Sequence, residues 1–92
     1  MFRAVKAKIP EYLKKGAIVI DVRSPEEFVS GHFEGSLNIP LQHLATQVGD
    51  LDKNKTVLLC CKSGIRSGMA VAVLKNLGFK EVVNAGPWNN LL

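Results

Sequence analysis

Ninety-two residues, 47% apolar and 22% charged with only two cysteines, suit one small globular domain spanning residues 1–92 and exclude intrinsic disorder, a disulfide scaffold and low-complexity architecture. The net charge of +4 is spread over the chain rather than gathered in a tail. It suits an anionic small molecule or an acidic partner, whereas basic residues in ones and twos without interleaved aromatics argue against nucleic acid. With no signal-like apolar stretch and no membrane-length segment, the expectation is a cytoplasmic monomer that binds no membrane.

Residues 5–15 carry Val5, Ile9, Tyr12 and Leu13 near one helical face, and Pro10 is expected to confine the helix to its second half, before Gly16. AIVIDV, residues 17–22, is a short apolar run suited to a strand buried on both faces. Ser24-Pro25-Glu26-Glu27 then has the form of a helix start, with Ser24 as N-cap, Pro25 at the first helical position and Glu27 closing a capping box; Gly31 ends that helix. SLNIP, residues 36–40, is a second strand, and Leu41, Leu44, Ala45 and Val48 give a helical period. TVLLC, residues 56–60, is the strongest core strand. Met69, Ala70, Val73, Leu74 and Leu77 then form a helical core line, and a last strand, EVVN, runs to a turn at Gly86-Pro87. Strands alternating with helices predict an α/β fold on a parallel sheet.

Chemistry concentrates in LLCCKSGIRSG, residues 58–68. It sits at the carboxyl end of a strand, against the start of the next helix, where α/β sheets bind ligands. Unpaired N–H groups of a first helical turn attract an anion and favour a thiolate, Gly64 lets the loop curl, and Arg66 adds a fixed charge. Cys61 is therefore the candidate nucleophile, while Cys60 continues the apolar strand and should point into the packing. A disulfide between them would be strained, since adjacent Cα atoms lie only about 3.8 Å apart. The two cysteines and the separated His32 and His43 lack a metal-ligand spacing.

The segment IDVRSPEEFVSGHFEGSLNIP, residues 20–40, together with CKSGIRS, residues 61–67, resembles the two signatures of the single-domain rhodaneses, which are sulfurtransferases. The resemblance implies a rhodanese-like α/β fold, a small parallel β-sheet flanked by helices on both faces. It also implies transfer of sulfane sulfur from a small anionic donor such as thiosulfate to cyanide, a thiol or a protein acceptor. Carried over, Cys61 forms a persulfide, so no cofactor beyond that covalent group is expected. Lys62, Ser63, Gly64, Ile65 and Arg66 bind substrate, their N–H groups cradling the outer sulfur and Arg66 closing the loop. Asp21, Arg23, His32 and Ser67 are supporting, structural residues. Where the family carries Gly-Gly-x-x-x-W, this chain has Gly86-Pro87-Trp88, and Trp88 is either a core plug or part of the site's rim.

Related phosphatases and arsenate reductases use a loop one residue longer, the C-x5-R spacing that Cys60 would supply. Their glycine lies three positions after the nucleophile; from Cys60 that position is Ser63, from Cys61 it is Gly64. The frame therefore favours Cys61 and sulfur. A phosphatase or arsenate reductase, and a non-catalytic sulfur-carrier or partner-docking module, remain the alternatives.

Overall fold

The computed structural model describes residues 1–92. Helix α1 (Arg3–Lys14) leads into β1 (Ile18–Asp21), α2 (Pro25–Ser30) and β2 (Leu37–Asn38). A 3₁₀ turn at Leu41–His43, α3 (Leu44–Gln47), β3 (Thr56–Cys61), α4 (Ile65–Asn76), β4 (Glu81–Pro87) and a closing 3₁₀ turn at Trp88–Leu91 follow. The four strands form a wholly parallel sheet in the order β2-β1-β3-β4. The expected architecture is thus present, with a hydrophobic layer on each face of the sheet.

Strand alternation assigns the two layers. Val57, Leu59 and Cys61 of β3 face α3 and α4 in a core with Ile20, Leu44, Val48, Ala70 and Leu74. Leu58 and Cys60 face the other way, toward Ile9 of α1 and Leu91. β3 therefore runs one residue past the expected end, through Cys61, which pairs with Pro87. That extra residue turns the two sulfurs onto opposite faces. β4 also continues beyond EVVN: Asn84 lies opposite Leu59 in regular register, and an irregularity just after it sets Gly86, rather than Ala85, opposite Cys60.

Two helical expectations are corrected. α1 runs through Pro10; the acceptor deprived of its N–H is the carbonyl of Lys6, an exposed residue, so the loss falls on the solvent side of the helix while Ile9 stays buried at 2% exposure. Met69 is 53% exposed rather than in the core. The buried line of α4 is Ser67, Ala70 and Leu74, a phase that turns Ser67 inward and leaves Met69 on the rim. The period through Leu41, Leu44 and Val48 survives as a 3₁₀ turn and a single α-turn, with Ala45 exposed.

Candidate active site

Gly64 makes the turn from β3 into α4. Its φ of +101° belongs to the left-handed region, and it is the N-cap of α4. The curl brings the chain back over Cys61, which is fully buried. Cys61 Sγ accepts a hydrogen bond from the Gly64 N–H at 3.0 Å and a longer one from the Ser67 N–H at 3.5 Å. Ser67 Oγ lies 3.3 Å from the same sulfur. Burial pushes the thiol pKa up, but these donors from Ser67 and Gly64, with the Ser63 N–H, outweigh it and hold Cys61 below the ordinary thiol range. Cys60 has no such donors: burial, with the Asp21 carboxylate adding to it, drives its pKa far up. One peptide bond separates a thiol whose pKa is lowered from one whose pKa is raised.

Asn84, which the sequence reading left as a strand end, braces this arrangement. Its Nδ2 donates to the Gly64 carbonyl at 3.0 Å, and its Oδ1 accepts from the Gly86 N–H at 3.0 Å and faces Ser67 Oγ at 2.7 Å. Those two backbone partners fix which end of the amide faces Ser67. Because a carbonyl oxygen only accepts, the Ser67 hydroxyl has two claimants for its proton, Asn84 Oδ1 and a Cys61 thiolate. With a neutral thiol the order is Cys61 to Ser67 to Asn84; a thiolate competes with Asn84 for the same hydroxyl proton. A polar residue near the end of an apolar strand, at the ligand-binding edge of a parallel sheet, was the available signal. Phe2 gave none: its ring packs so closely on the loop that a Cβ on Gly64 would lie 2.5 Å from it and one on Gly86 2.7 Å.

Arg66 does not close the loop on itself. It reaches α2, where Nη1 and Nη2 donate to the two carboxylate oxygens of Glu27 at 2.7 and 3.0 Å. This fork holds the Glu27 pKa down to about 2 and raises that of Arg66. The expected capping box is also present, the Ser24 N–H donating to Glu27 and the Glu27 N–H to Ser24 Oγ, so one carboxylate serves both the helix start and the loop. Lys62, Ser63 and Ile65 stand exposed on the crest. The backbone N–H groups of Lys62 and Arg66 have no acceptor within the chain.

The supporting residues divide. Asp21, fully buried, accepts from Arg23 Nε and Nη2 at 2.7–3.0 Å, and Arg23 Nη2 also donates to the Gly31 carbonyl. The hydrogen bonds to Asp21 raise the Arg23 pKa. Asn38 Nδ2 donates to the carbonyls of Asp21 and Arg23, tying β2 to the same strand end. His32 makes no hydrogen bond to Cys61; it is exposed, its Nδ1 donating to the Phe28 carbonyl at 2.8 Å and its ring stacked on Phe28. Trp88 is half-buried at the rim, with the Arg23 guanidinium 5.0 Å from its ring centre. Arg23, Glu27, Ser30, Gly31, Lys62 and Trp88 line an open cleft of about 200 Å³ beside the loop. Within it the two arginine–carboxylate interactions satisfy Arg23 and Glu27, whereas the Lys62 ammonium makes no ion pair.

The arrangement is a buried thiol whose ionised form is favoured by backbone and hydroxyl donors, beneath a crest that carries one free cation. Residues 6–86 match the family model described as a rhodanese-like domain. The chain is 41% identical over 69 residues to the thiosulfate sulfurtransferase PspE of Escherichia coli, and 38% identical over 69 residues to the putative sulfur carrier protein YrkF of Bacillus subtilis. These alignments take in 73% and 75% of this chain but 66% and 37% of the relatives, so the chain spans less than two thirds of either. Among solved structures, an Escherichia coli rhodanese with anions superposes with a TM-score of 0.76 at 36% identity, covering 82% of this chain and 91% of that one. The human single-domain sulfurtransferase TSTD1 superposes at 0.82 with 25% identity, covering 91% and 88%. With loop, sheet order and sequence in agreement, the chain belongs to the family of rhodanese-like domains.

Proposed function

We propose that the protein is a sulfurtransferase that takes sulfane sulfur from a small anionic donor, thiosulfate being the type case, onto Cys61 and passes it to a thiophilic acceptor. The Cys61 thiolate attacks the outer sulfur of thiosulfate; the new Sγ–S bond forms as the donor's S–S bond breaks, and sulfite leaves with the electron pair. An acceptor nucleophile then takes that outer sulfur and Cys61 departs as a thiolate, back into the same N–H groups. The observation carrying this reading is the set of donors on Cys61 Sγ, which stabilises the thiolate both as nucleophile and as leaving group.

Three features support the small anionic donor. Cys61 has no exposed surface, so a bulky donor is disfavoured. Lys62 supplies an unpaired cation at the cleft. The N–H groups of Lys62 and Arg66 remain as donors for the outer sulfur. Arg66, engaged by Glu27, acts by fixing the loop against α2. The persulfide on Cys61 is the one group the chemistry requires, and two free thiols suit a reducing compartment, the cytoplasm. A thiosulfate and cyanide assay tests the reading. Thiocyanate formation that Cys61→Ser abolishes and Cys60→Ser largely spares supports it; turnover of an aryl phosphate or arsenate instead would replace it with the phosphatase or reductase reading.

A further inference from the structure

The net charge, expected to be spread over the chain, is instead concentrated in the segment that forms α1. Between Met1 and Gly16 lie Arg3, Lys6, Lys8, Lys14 and Lys15 against the single acid Glu11, so this segment alone carries +4; the remaining chain is balanced, seven basic residues against seven acidic. All five cations are exposed, and only Lys15 has an ion-pair partner, Glu11. The opposite side of α1 is spent on the core through Ile9 and its neighbours. The helix also begins at the active loop, since Phe2, the residue before Arg3, packs on Gly64 and Gly86. At about 100° per residue, Arg3 and Lys14 face outward with Lys6 on one flank and Lys8 and Lys15 on the other, so the solvent side of α1 is a broad basic strip that starts beside the loop and runs for about 18 Å, at 1.5 Å per residue. On the loop itself and the first turns of α4, Lys62 and the apolar side chains of Ile65 and Met69 are also exposed, the last two at 71% and 53%.

We propose that this strip is the docking surface for an acidic protein whose cysteine receives the sulfur. The inference rests on the sulfurtransferase reading, which decides the class of partner. Discharging a persulfide requires a nucleophile such as a thiolate: the acceptor's sulfur bonds to the outer sulfur, the bond from that sulfur to Cys61 Sγ breaks, and Cys61 leaves with the electron pair. A protein brings a thiolate, whereas an unmodified polynucleotide does not. A small thiol needs only the crest; cations extending along α1 match a partner with an extended acidic face, attracted over a distance and held in register.

The test uses the full chain loaded with persulfide from thiosulfate. Discharge is timed with three probes: a synthetic peptide with one cysteine flanked by glutamates, an equally long peptide with glutamines in their place, and 2-mercaptoethanol. At low salt the glutamate peptide should discharge Cys61 about tenfold faster than the glutamine peptide after correction for thiolate fraction, within the range of electrostatic steering, and the advantage should vanish in high salt. Lys6→Glu/Lys14→Glu should abolish the advantage while leaving discharge to 2-mercaptoethanol unchanged, which also reports an intact site. Lys55→Glu/Lys80→Glu, with the same charge change off α1, should retain most of it. Equal rates for both peptides, or equal loss in both double variants, overturn the docking surface. So does a short RNA that binds α1 more tightly than the glutamate peptide at equal salt. Failure to form any persulfide instead removes the sulfurtransferase reading beneath it.

Discussion

The Arg66 guanidinium is forked onto the Glu27 carboxylate, at 2.7 and 3.0 Å, and so joins the start of α4 to the start of α2. Two elements separated by β2, a 3₁₀ turn, α3 and β3 are thereby locked at the mouth of the site. Replacing Glu27 with Gln keeps a capping-box side chain but removes the charge and one acceptor. For a partly exposed pair this should cost about 1 kcal/mol, read as a lower urea midpoint. The sign with pH follows from a carboxylate held at about 2 when folded against an ordinary 4.5. Its stabilisation is fully present above about pH 4.5 and is lost as pH falls through about 2. The stability gap between wild type and Glu27→Gln should be flat at neutral pH and close across that acid window; a gap that widened on acidification would contradict the assignment.

The two thiols should differ in reactivity under native conditions. Iodoacetamide near neutral pH should add once, at Cys61, whose pKa is lowered, and spare Cys60, whose pKa is raised. Digestion and mass mapping of the adduct checks this. Unfolding in denaturant should make both cysteines react alike.

Ser67 and Asn84 act on Cys61 in different ways. Ser67→Ala removes a donor to a charged sulfur, worth about 1.5 kcal/mol or more, so the alkylation pH profile of Cys61 should shift upward by about one unit. Asn84→Asp keeps the shape, but the carboxylate cannot donate to the Gly64 carbonyl and sets a negative charge beside Ser67. It should shift the profile upward too, and lower stability as well. An unmoved profile in both variants would mean that the donors seen on Sγ do not set its reactivity.

Gly64→Ala combines two penalties, a positive φ that costs a side chain about 1–2 kcal/mol and a Cβ placed 2.5 Å from the Phe2 ring. Phe2→Ala removes the second penalty alone. In a double-mutant cycle by urea unfolding, Gly64→Ala should therefore cost less in the Phe2→Ala background, by about 1 kcal/mol. Additive losses would show that Phe2 does not brace the loop.

The sequence exposes features that depend on neighbours in the chain and hides those that depend on packing. Gly64 set the frame from Cys61 because a turn needs its glycine at a fixed offset, and the Ser24–Glu27 cap was legible because both groups lie in one helical turn. Arg66 could be read as a charge near an anion site, but its partner is 39 positions away. Asn84 is 17 positions from Ser67 and reaches it because the parallel pairing sets it opposite Leu59, on the sheet face that α4 covers. Met69 was misplaced because two helical phases one residue apart both offer apolar lines, and the inward turn of Ser67 selects the other. Pro10 suggests a boundary, yet its missing N–H falls opposite Lys6, an exposed residue, where a lost helical bond costs least.

The most direct measurement is the mass of the intact protein after incubation with thiosulfate and removal of excess donor, followed by peptide mapping. The expected result is a gain of one sulfur atom, located on Cys61, reversed by cyanide and absent from Cys61→Ser. A sulfur located on Cys60, or no mass gain in the folded wild-type protein, would contradict the assignment of Cys61 as the residue that carries sulfur.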